Sequence, residues 1–482
     1  MQLQELMKGI YYKGNPDNCE ITAVTYDSRK VKAGTLFVAI AGFKVDGHDY
    51  IYQAIENGAA AILSNGRSLN IKTVPIIQVK NPRIALSQIS ALFYGNPSKS
   101  MNVIGVTGTN GKTSITHILY HILQFAGYTC GSMGTLGFRT PTGMMNTGFT
   151  TPESVEVHQM LQTLKTAGVD NVVMEISSHA LDLYRVKDVD VDIAIFSNLT
   201  PEHLDFHGDM ENYFKSKHKL FTGLNASKTA VVNLDDPYAE RICVTTPARV
   251  ITYGMNQRAD IRPLEAKFSI NGLDAKLTFG KSELMIHSNL LGEYNLSNLM
   301  SAFAVSLAMG LSPHNIERAI SSLPPIPGRL EQITCNCPGK VFIDYAHTPD
   351  AYEKLYSTLT KLKSKKDKIV TVFGCGGDRD MGKRSKMAEI SDAYSVFSYI
   401  TLDNPRTESP DQIIADIIQG FSTSNYEIIN DRKTGLETAL NNMDDDSILL
   451  VLGKGRENYQ QIGMEKFHYS DVNIIEEFQN AG

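Results

Sequence analysis

The strongest chemical signal lies directly after a short apolar stretch, Asn102-Val103-Ile104-Gly105-Val106. There the chain reads Gly108-Thr109-Asn110-Gly111-Lys112-Thr113-Ser114. Backbone N–H groups of such a turn, opening onto a helix, cradle phosphate oxygens. Lys112 then reaches β- and γ-phosphates, and the Thr113 hydroxyl holds Mg2+. The strict G-x-x-x-x-G-K-[ST] pattern is not met, because its first glycine falls on Val106. Ile115, Ile118, Leu119 and Ile122 follow at helical spacing, so strand, loop, Lys-Thr and helix stand in the right order. A glycine turn that merely caps a helix explains the residues less well.

Two further strand ends carry ionisable groups. Val172-Val173-Met174 runs into Glu175-Ile176-Ser177-Ser178-His179, where the carboxylate is equally a Mg2+ ligand and a helix cap. Ile193–Phe196 runs into Asn198–Gly208, with Glu202, His203, Asp205 and His207. Paired with Glu175 across the sheet edge, His203 reads as a metal ligand, whereas alone it reads as structural. Lys215, Lys217, His218 and Lys219 form a basic helical stretch that composition alone assigns to a solvated face.

Later strands end in loops of the same kind. Asp344-Tyr345-Ala346-His347 precedes an ordinary helix start at Thr348-Pro349-Asp350. Gly374–Asp380 carries Arg379, and Gly453-Lys454-Gly455-Arg456-Glu457 offers a carboxylate for an ammonium group. In Asp403-Asn404-Pro405-Arg406, Pro405 fixes its own φ and biases Asn404 to extended geometry, so Arg406 is aimed. An aimed guanidinium suits bidentate carboxylate binding, and a surface salt bridge is its plain alternative.

These loops need parallel strands to hold them. Apolar runs at 172–174, 193–196, 230–232, 341–343, 369–373, 399–402 and 449–452 alternate with helical periods, which predicts α/β layers with ligands at the strand ends. Met300–Leu311 predicts a buried helix. The chain has 482 residues, about three domains' worth. Proline and glycine punctuation at 95–98 and 323–328 divides it into 1–98, 99–327 and 328–482. The expected fold is a small α/β N-terminal domain, a central P-loop-type parallel sheet with flanking helices, and a Rossmann-like C-terminal domain.

The net charge of −6 argues against a non-specific nucleic-acid binder. Six sparse cysteines predict reduced thiols and a cytoplasmic chain. Neither a signal peptide nor a membrane span is expected.

In their order along nearly the whole chain, these residues resemble the Mur ligase family of ATP-dependent peptidoglycan-precursor ligases. Tyr26-Asp27-Ser28-Arg29, Gly34–Ala39 and Asp46-Gly47-His48 resemble the UDP-binding domain of the branch that adds the third stem-peptide residue. The resemblance implies UDP-muramoyl-substrate contacts at Ser28, Thr150, Thr151, Ser177 and Arg185. It implies an ATP site of Gly108–Ser114, Asn295, Asn298, Arg329, Asp344 and His347. Catalytic and metal roles fall to Lys112, Thr113, Glu175, His203 and Lys217, the last as a carbamate. Arg379, Asp403, Asn404, Pro405, Arg406, Gly453 and Glu457 match contacts to meso-diaminopimelate, whose extra carboxylate lysine lacks.

The implied reaction couples meso-diaminopimelate to the D-Glu side-chain carboxylate of UDP-N-acetylmuramoyl-L-Ala-D-Glu through an acyl phosphate, in the cytoplasm, by a monomer expected to close about the 324–328 linker. A lysine-adding or folate-polyglutamylating ligase and a regulatory ATPase are the alternatives. Three departures stand out: Leu183 for a frequent glutamine, Arg456 for a usual histidine, and Glu202 for a usual aspartate. Arg456 is expected to add a cation near the amino-acid site.

Overall fold

The computed structural model describes residues 1–16, 19–42, 45–66 and 71–478. The chain forms two compact units. The first holds residues 1–263, 278–282 and 297–319, and the second holds 264–277, 283–296 and 320–482.

The first unit contains two sheets. In the smaller, the strands run in the order Tyr12–Lys13, Ile76–Val79, Ala59–Ser64, Thr35–Val38, Ala23–Thr25. All its neighbours are parallel except the Tyr12–Lys13 edge. Leu36, Val38, Ala61, Leu63 and Ile77 pack one face with the helix Pro82–Phe93 and its Ala85, Leu86 and Ile89.

The larger sheet includes the order Arg249–Tyr253, Thr229–Asn233, Ile193–Phe196, Asn102–Thr107, Asn171–Glu175, Cys130–Gly134. These strands are parallel, and all but Arg249–Tyr253 are largely buried, which explains their continuous apolar runs. The phosphate-loop strand Asn102–Thr107 therefore lies between Ile193–Phe196 and Asn171–Glu175, so three strand ends converge. The antiparallel strands Gly137–Thr140 and Gly143–Met145 extend the far edge. Ile115, Ile118, Leu119 and Ile122 are fully buried on the helix Lys112–Phe125, as their spacing predicts.

The second unit carries a six-stranded sheet in the order Glu331–Ile333, Lys340–Asp344, Ser447–Leu452, Lys368–Phe373, Phe397–Ile400, Tyr426–Ile428. Only the first strand is antiparallel. The strand expected at 399–402 ends instead at Ile400, opposite Phe373, and residues 401–403 turn into the loop. Of the helix expected at Met300–Leu311, residues 300–308 lie in the helix Glu293–Ala308 and the last three follow its end.

One cysteine expectation is corrected. Cys335 and Cys337 form a disulfide, leaving Cys19, Cys130, Cys243 and Cys375 free. Their Cα atoms are 5.4 Å apart, within the span a disulfide bridges. Among the described residues no helix is long and apolar enough to cross a membrane.

Candidate active site

The phosphate loop is shaped by close approaches. Gly108 has φ 152°, and a Cβ there would strike Ser197 Oγ. Gly111 has φ 88°, and a Cβ would lie 2.6 Å from Asn298 Oδ1. Asn198, which the sequence reading passed over as a site residue, holds the loop. Its carbonyl accepts from Thr109 N at 2.8 Å and its side-chain oxygen from Asn110 N at 2.9 Å. The helix behind starts at Lys112 with no side-chain cap hydrogen bond, which suits an anion at its N-terminus. Lys112 Nζ lies back on its own loop, donating to the Gly108 and Thr109 carbonyls at 2.9 and 2.7 Å.

Glu175 ends the neighbouring strand and is buried. Its Oε2 accepts from the Thr113 hydroxyl and the Thr135 hydroxyl, each at 3.1 Å, and Oε1 accepts from Thr135 N at 2.9 Å. The helix-cap alternative for Glu175 is excluded, since Ser177 caps the helix Ser178–Asp182 through Ala180 N. Thr113 and Glu175 thus bring two hard oxygen donors together, a donor set that fits Mg2+.

Lys217 overturns the solvated-face reading of its helix. On Met210–Thr222, Tyr213, Phe214, Lys217, Leu220 and Phe221 share the buried face, while Lys215 and Lys219 face outward to Glu211 and Asp182. Lys217 Nζ donates to the Gly108 carbonyl at 2.8 Å and stands 4.6 Å from the Tyr213 ring centroid. Burial, and then the nearby Lys112 charge, hold its pKa well below the lysine range, against a smaller opposing pull from Glu202. His203 sits in a left-handed conformation, φ 55°, beside the rings of His179 and Tyr213. Tyr213 also bonds Thr109, so it joins His203, Lys217 and the phosphate loop. Among the described residues no group of three His, Cys, Asp or Glu side chains is placed to hold a metal.

Next to this cluster, Thr150 and Thr151 lead into Glu153. Thr150 Oγ1 pairs with Thr135 Oγ1 at 3.1 Å, and Thr151 Oγ1 donates to the Glu175 carbonyl at 2.8 Å. One oxygen of Glu153, Oε2, accepts from both Arg83 at 2.9 Å and Arg185 at 3.2 Å. Arg185 also donates to the Thr151 carbonyl at 3.0 Å. Glu153 and Arg83 were missed by the sequence reading, although Glu153 directly follows Thr150-Thr151-Pro152. Ser28 is buried, with its hydroxyl on Gln53 at 3.0 Å.

In the second unit, Asp344 accepts from Leu330 N and Ala346 N. Burial raises its pKa, offset by Arg329, whose guanidinium lies 5.3 Å from the Tyr345 ring centroid. His347 Nδ1 meets the Tyr345 carbonyl at 2.8 Å, and Asn295 Nδ2 donates to Leu291.

The loops after Ile400 and Leu452 converge on a lysine the sequence reading did not select. Lys454 is fully buried, and its Nζ donates to Asp403, Asn404 and Glu457 at 3.3, 3.1 and 3.4 Å. Asn404 Nδ2 also donates to Glu457, at 3.1 Å. The ammonium expected on Glu457 is thus partly supplied from within the chain. Arg406 has φ 53°, and its NH1 donates to the Gly377 carbonyl at 2.7 Å. A Cβ on Gly376 would meet Arg406 NH1 at 2.9 Å and Arg379 Cγ at 3.8 Å, so both arginines flank that glycine. Gly453 has φ 105°, and its N–H donates to the Asp344 carbonyl at 3.1 Å.

A parallel sheet with a phosphate loop, a buried lysine behind it and a second α/β unit rich in carboxylate and guanidinium groups define an ATP-using ligase architecture. Residues 20–94 match the Mur ligase family catalytic domain, 106–306 the Mur ligase middle domain, and 328–455 the Mur ligase glutamate ligase domain. The chain is 39% identical to a Syntrophomonas wolfei protein named UDP-N-acetylmuramoyl-L-alanyl-D-glutamate–2,6-diaminopimelate ligase, over 99% of both chains. It is 40% identical to a protein of the same name from Bacillus velezensis, over 94% of this chain and 93% of that one. A solved structure with that ligase name superposes with a TM-score of 0.71 at 29% identity, covering 98% of each chain. The MurF ligase of Thermotoga maritima, solved with ADP, shares the fold at a TM-score of 0.63 and 19% identity, covering 90% of this chain and 94% of that one. The chain belongs to the Mur ligase family.

Proposed function

We propose that this enzyme is an ATP-dependent ligase that adds meso-diaminopimelate to the D-Glu side-chain carboxylate of UDP-N-acetylmuramoyl-L-Ala-D-Glu. The observation that carries the reading is the cluster of Lys112, Thr113, Glu175 and buried Lys217 around the phosphate loop, in a chain similar end to end to ligases of that name.

Residues 1–98 are assigned to the UDP-muramoyl substrate, with Ser28. Residues 99–327 are assigned to ATP and the muramoyl peptide, and 328–482 to diaminopimelate. The D-Glu carboxylate attacks the γ-phosphate, giving an acyl phosphate and ADP. The diaminopimelate amine then attacks the acyl carbon and releases phosphate, forming the amide. Lys112 swings from its own loop carbonyls to the transferring phosphate and offsets charge there. Thr113, Glu175 and His203 would hold Mg2+, whose charge would neutralise the phosphate oxygens. A lysine kept below its ordinary pKa has the free amine that adds CO2. Carbamylated Lys217 would then present an anion where Nζ now donates to the Gly108 carbonyl. Thr150, Thr151, Ser177 and Arg185 serve the muramoyl peptide. Asn295, Asn298, Arg329, Asp344 and His347 complete the nucleotide assignment.

For the amino acid, Arg406 and Arg379 take the distal carboxylate, with Asp403, Asn404, Pro405, Gly453 and Glu457 forming the loops around it. Lysine brings no carboxylate to Arg406, whose half-buried guanidinium then keeps the Gly377 carbonyl but gains no counter-charge, which penalises it. The reaction belongs to cytoplasmic peptidoglycan-precursor synthesis, carried out by a monomer. The test is ATP-dependent phosphate release with the UDP-dipeptide and either meso-diaminopimelate or L-lysine, with product mass. Release and ligation with diaminopimelate alone are expected. Release with lysine instead overturns the specificity, and release independent of both overturns the ligase.

A further inference from the structure

Arg456 is not an unbalanced cation beside the amino-acid loop. Its Nε donates to Glu331 Oε2 at 2.9 Å and its NH2 to Glu331 Oε1 at 2.5 Å, a two-pronged pair. Glu331 is buried, and the same Oε2 accepts from Gly328 N at 2.7 Å. The pair therefore joins two segments far apart in sequence, 328–331 and 453–457.

A third segment is woven between them. Tyr345 N donates to the Gly328 carbonyl at 3.0 Å, Leu330 N to Asp344, and Gly453 N to the Asp344 carbonyl at 3.1 Å. Backbones touch as well: a Cβ on Gly328 would meet Arg456 N at 3.1 Å, and one on Gly455, at φ 50°, would meet Tyr345 Cβ at 3.2 Å. On one side of this knot stand Arg329 and Asp344, assigned to the nucleotide. On the other stand Asp403 and Glu457, assigned to the amino acid and bridged by Lys454.

We infer that Arg456 is a positioning residue whose pair with Glu331 sets the nucleotide residues and the amino-acid loop of the second unit in one register, so that the affinities for ATP and diaminopimelate depend on it together. The inference rests on the ligase reading above. Removing the guanidinium leaves the Glu331 carboxylate without its counter-charge and unties the segment that carries Arg329 from the 453–457 loop. Because Gly328 N shares Glu331 Oε2, Tyr345 N bonds the Gly328 carbonyl and Gly453 N the Asp344 carbonyl, the loop bearing Glu457 shifts with it.

The test uses the full chain and measures KM for ATP and for meso-diaminopimelate separately, with the UDP-dipeptide saturating. R456A and E331Q should each raise both KM values together, by about tenfold, the scale of one lost charge-assisted pair. R456K keeps the charge without the fork and should fall between R456A and the parent. The double variant R456A/E331Q should be no worse than the worse single variant, because both remove one contact. A rise in the diaminopimelate KM alone would make Arg456 a direct amino-acid contact and overturn the inference. A lower melting temperature with both KM values unchanged would also overturn it, as would additive effects in the double variant. Absence of diaminopimelate-dependent phosphate release in the parent would instead overturn the ligase reading on which it stands.

Discussion

Replacing Glu153 by glutamine should be more damaging than its size suggests. Its Oε2 lies 2.9 Å from an Arg83 nitrogen and 3.2 Å from an Arg185 nitrogen. Those two cationic nitrogens are thus no more than about 6 Å apart, and neutralising the one carboxylate that offsets their repulsion weakens two charge-assisted bonds at about 1.5 kcal/mol each, about 3 kcal/mol together. Solvent does little to screen that repulsion, since the Arg83, Arg185 and Glu153 side chains are 16%, 20% and 7% exposed. We expect E153Q to lose about 3 kcal/mol in urea unfolding of the full chain, read by intrinsic tyrosine fluorescence. Arg83→Gln alone should cost about 1 kcal/mol, because Glu153 keeps Arg185. The double variant R83Q/E153Q should recover most of the E153Q loss, since one cation then remains. An E153Q chain within about 0.5 kcal/mol of the parent, or a double variant less stable than E153Q, would refute the shared-carboxylate reasoning.

Lys112→Ala should lower kcat at least about 100-fold with an unchanged melting temperature, and retained turnover would remove Lys112 from the phosphate site. Arg406→Ala should raise the diaminopimelate KM about 30-fold or more and leave that for ATP within about twofold; equal small effects would return Arg406 to a surface role. His117 and His158 are buried and titrate near 4 instead of 6.5, mainly through burial. The unfolded chain binds their protons first, so stability should fall as pH drops from 6.5 to 4, by about 3 kcal/mol per histidine. Neither ring nitrogen of His158 has a hydrogen-bond partner. His158→Leu should therefore flatten the pH slope of the urea midpoint by about one proton, and an unchanged slope would exclude His158 as a source.

The sheets and the phosphate loop were legible because they are written locally. Parallel strands buried on both faces read as apolar runs, and the loop follows its strand within a few residues. Lys217 was not legible from composition, because its helix is basic on the outside and only the spacing with Tyr213, Leu220 and Phe221 marks the inner face. Lys454 and Arg456 were misjudged for a different reason. Their partners, Asp403, Asn404 and Glu331, lie about 50 to 125 residues away, and no local pattern reports such pairings. Glu175 sat between two local readings until the structure placed Ser177 at the cap.

The position of Ser447–Leu452 in the second unit bears on how the chain is made. That strand lies between Lys340–Asp344 and Lys368–Phe373 and runs parallel to both. On the ribosome, residues 340–373 emerge first, and at about 5–20 residues per second the strand that joins them follows several seconds later. During that interval two buried-type strands, Val341-Phe342-Ile343 and Ile369–Phe373, present open edges with nothing to pair across. Asp344 likewise lacks Gly453 until the same moment. Completion of the second unit's sheet is therefore a late, single event in synthesis, and a nascent chain stopped short of residue 452 exposes those edges to other chains.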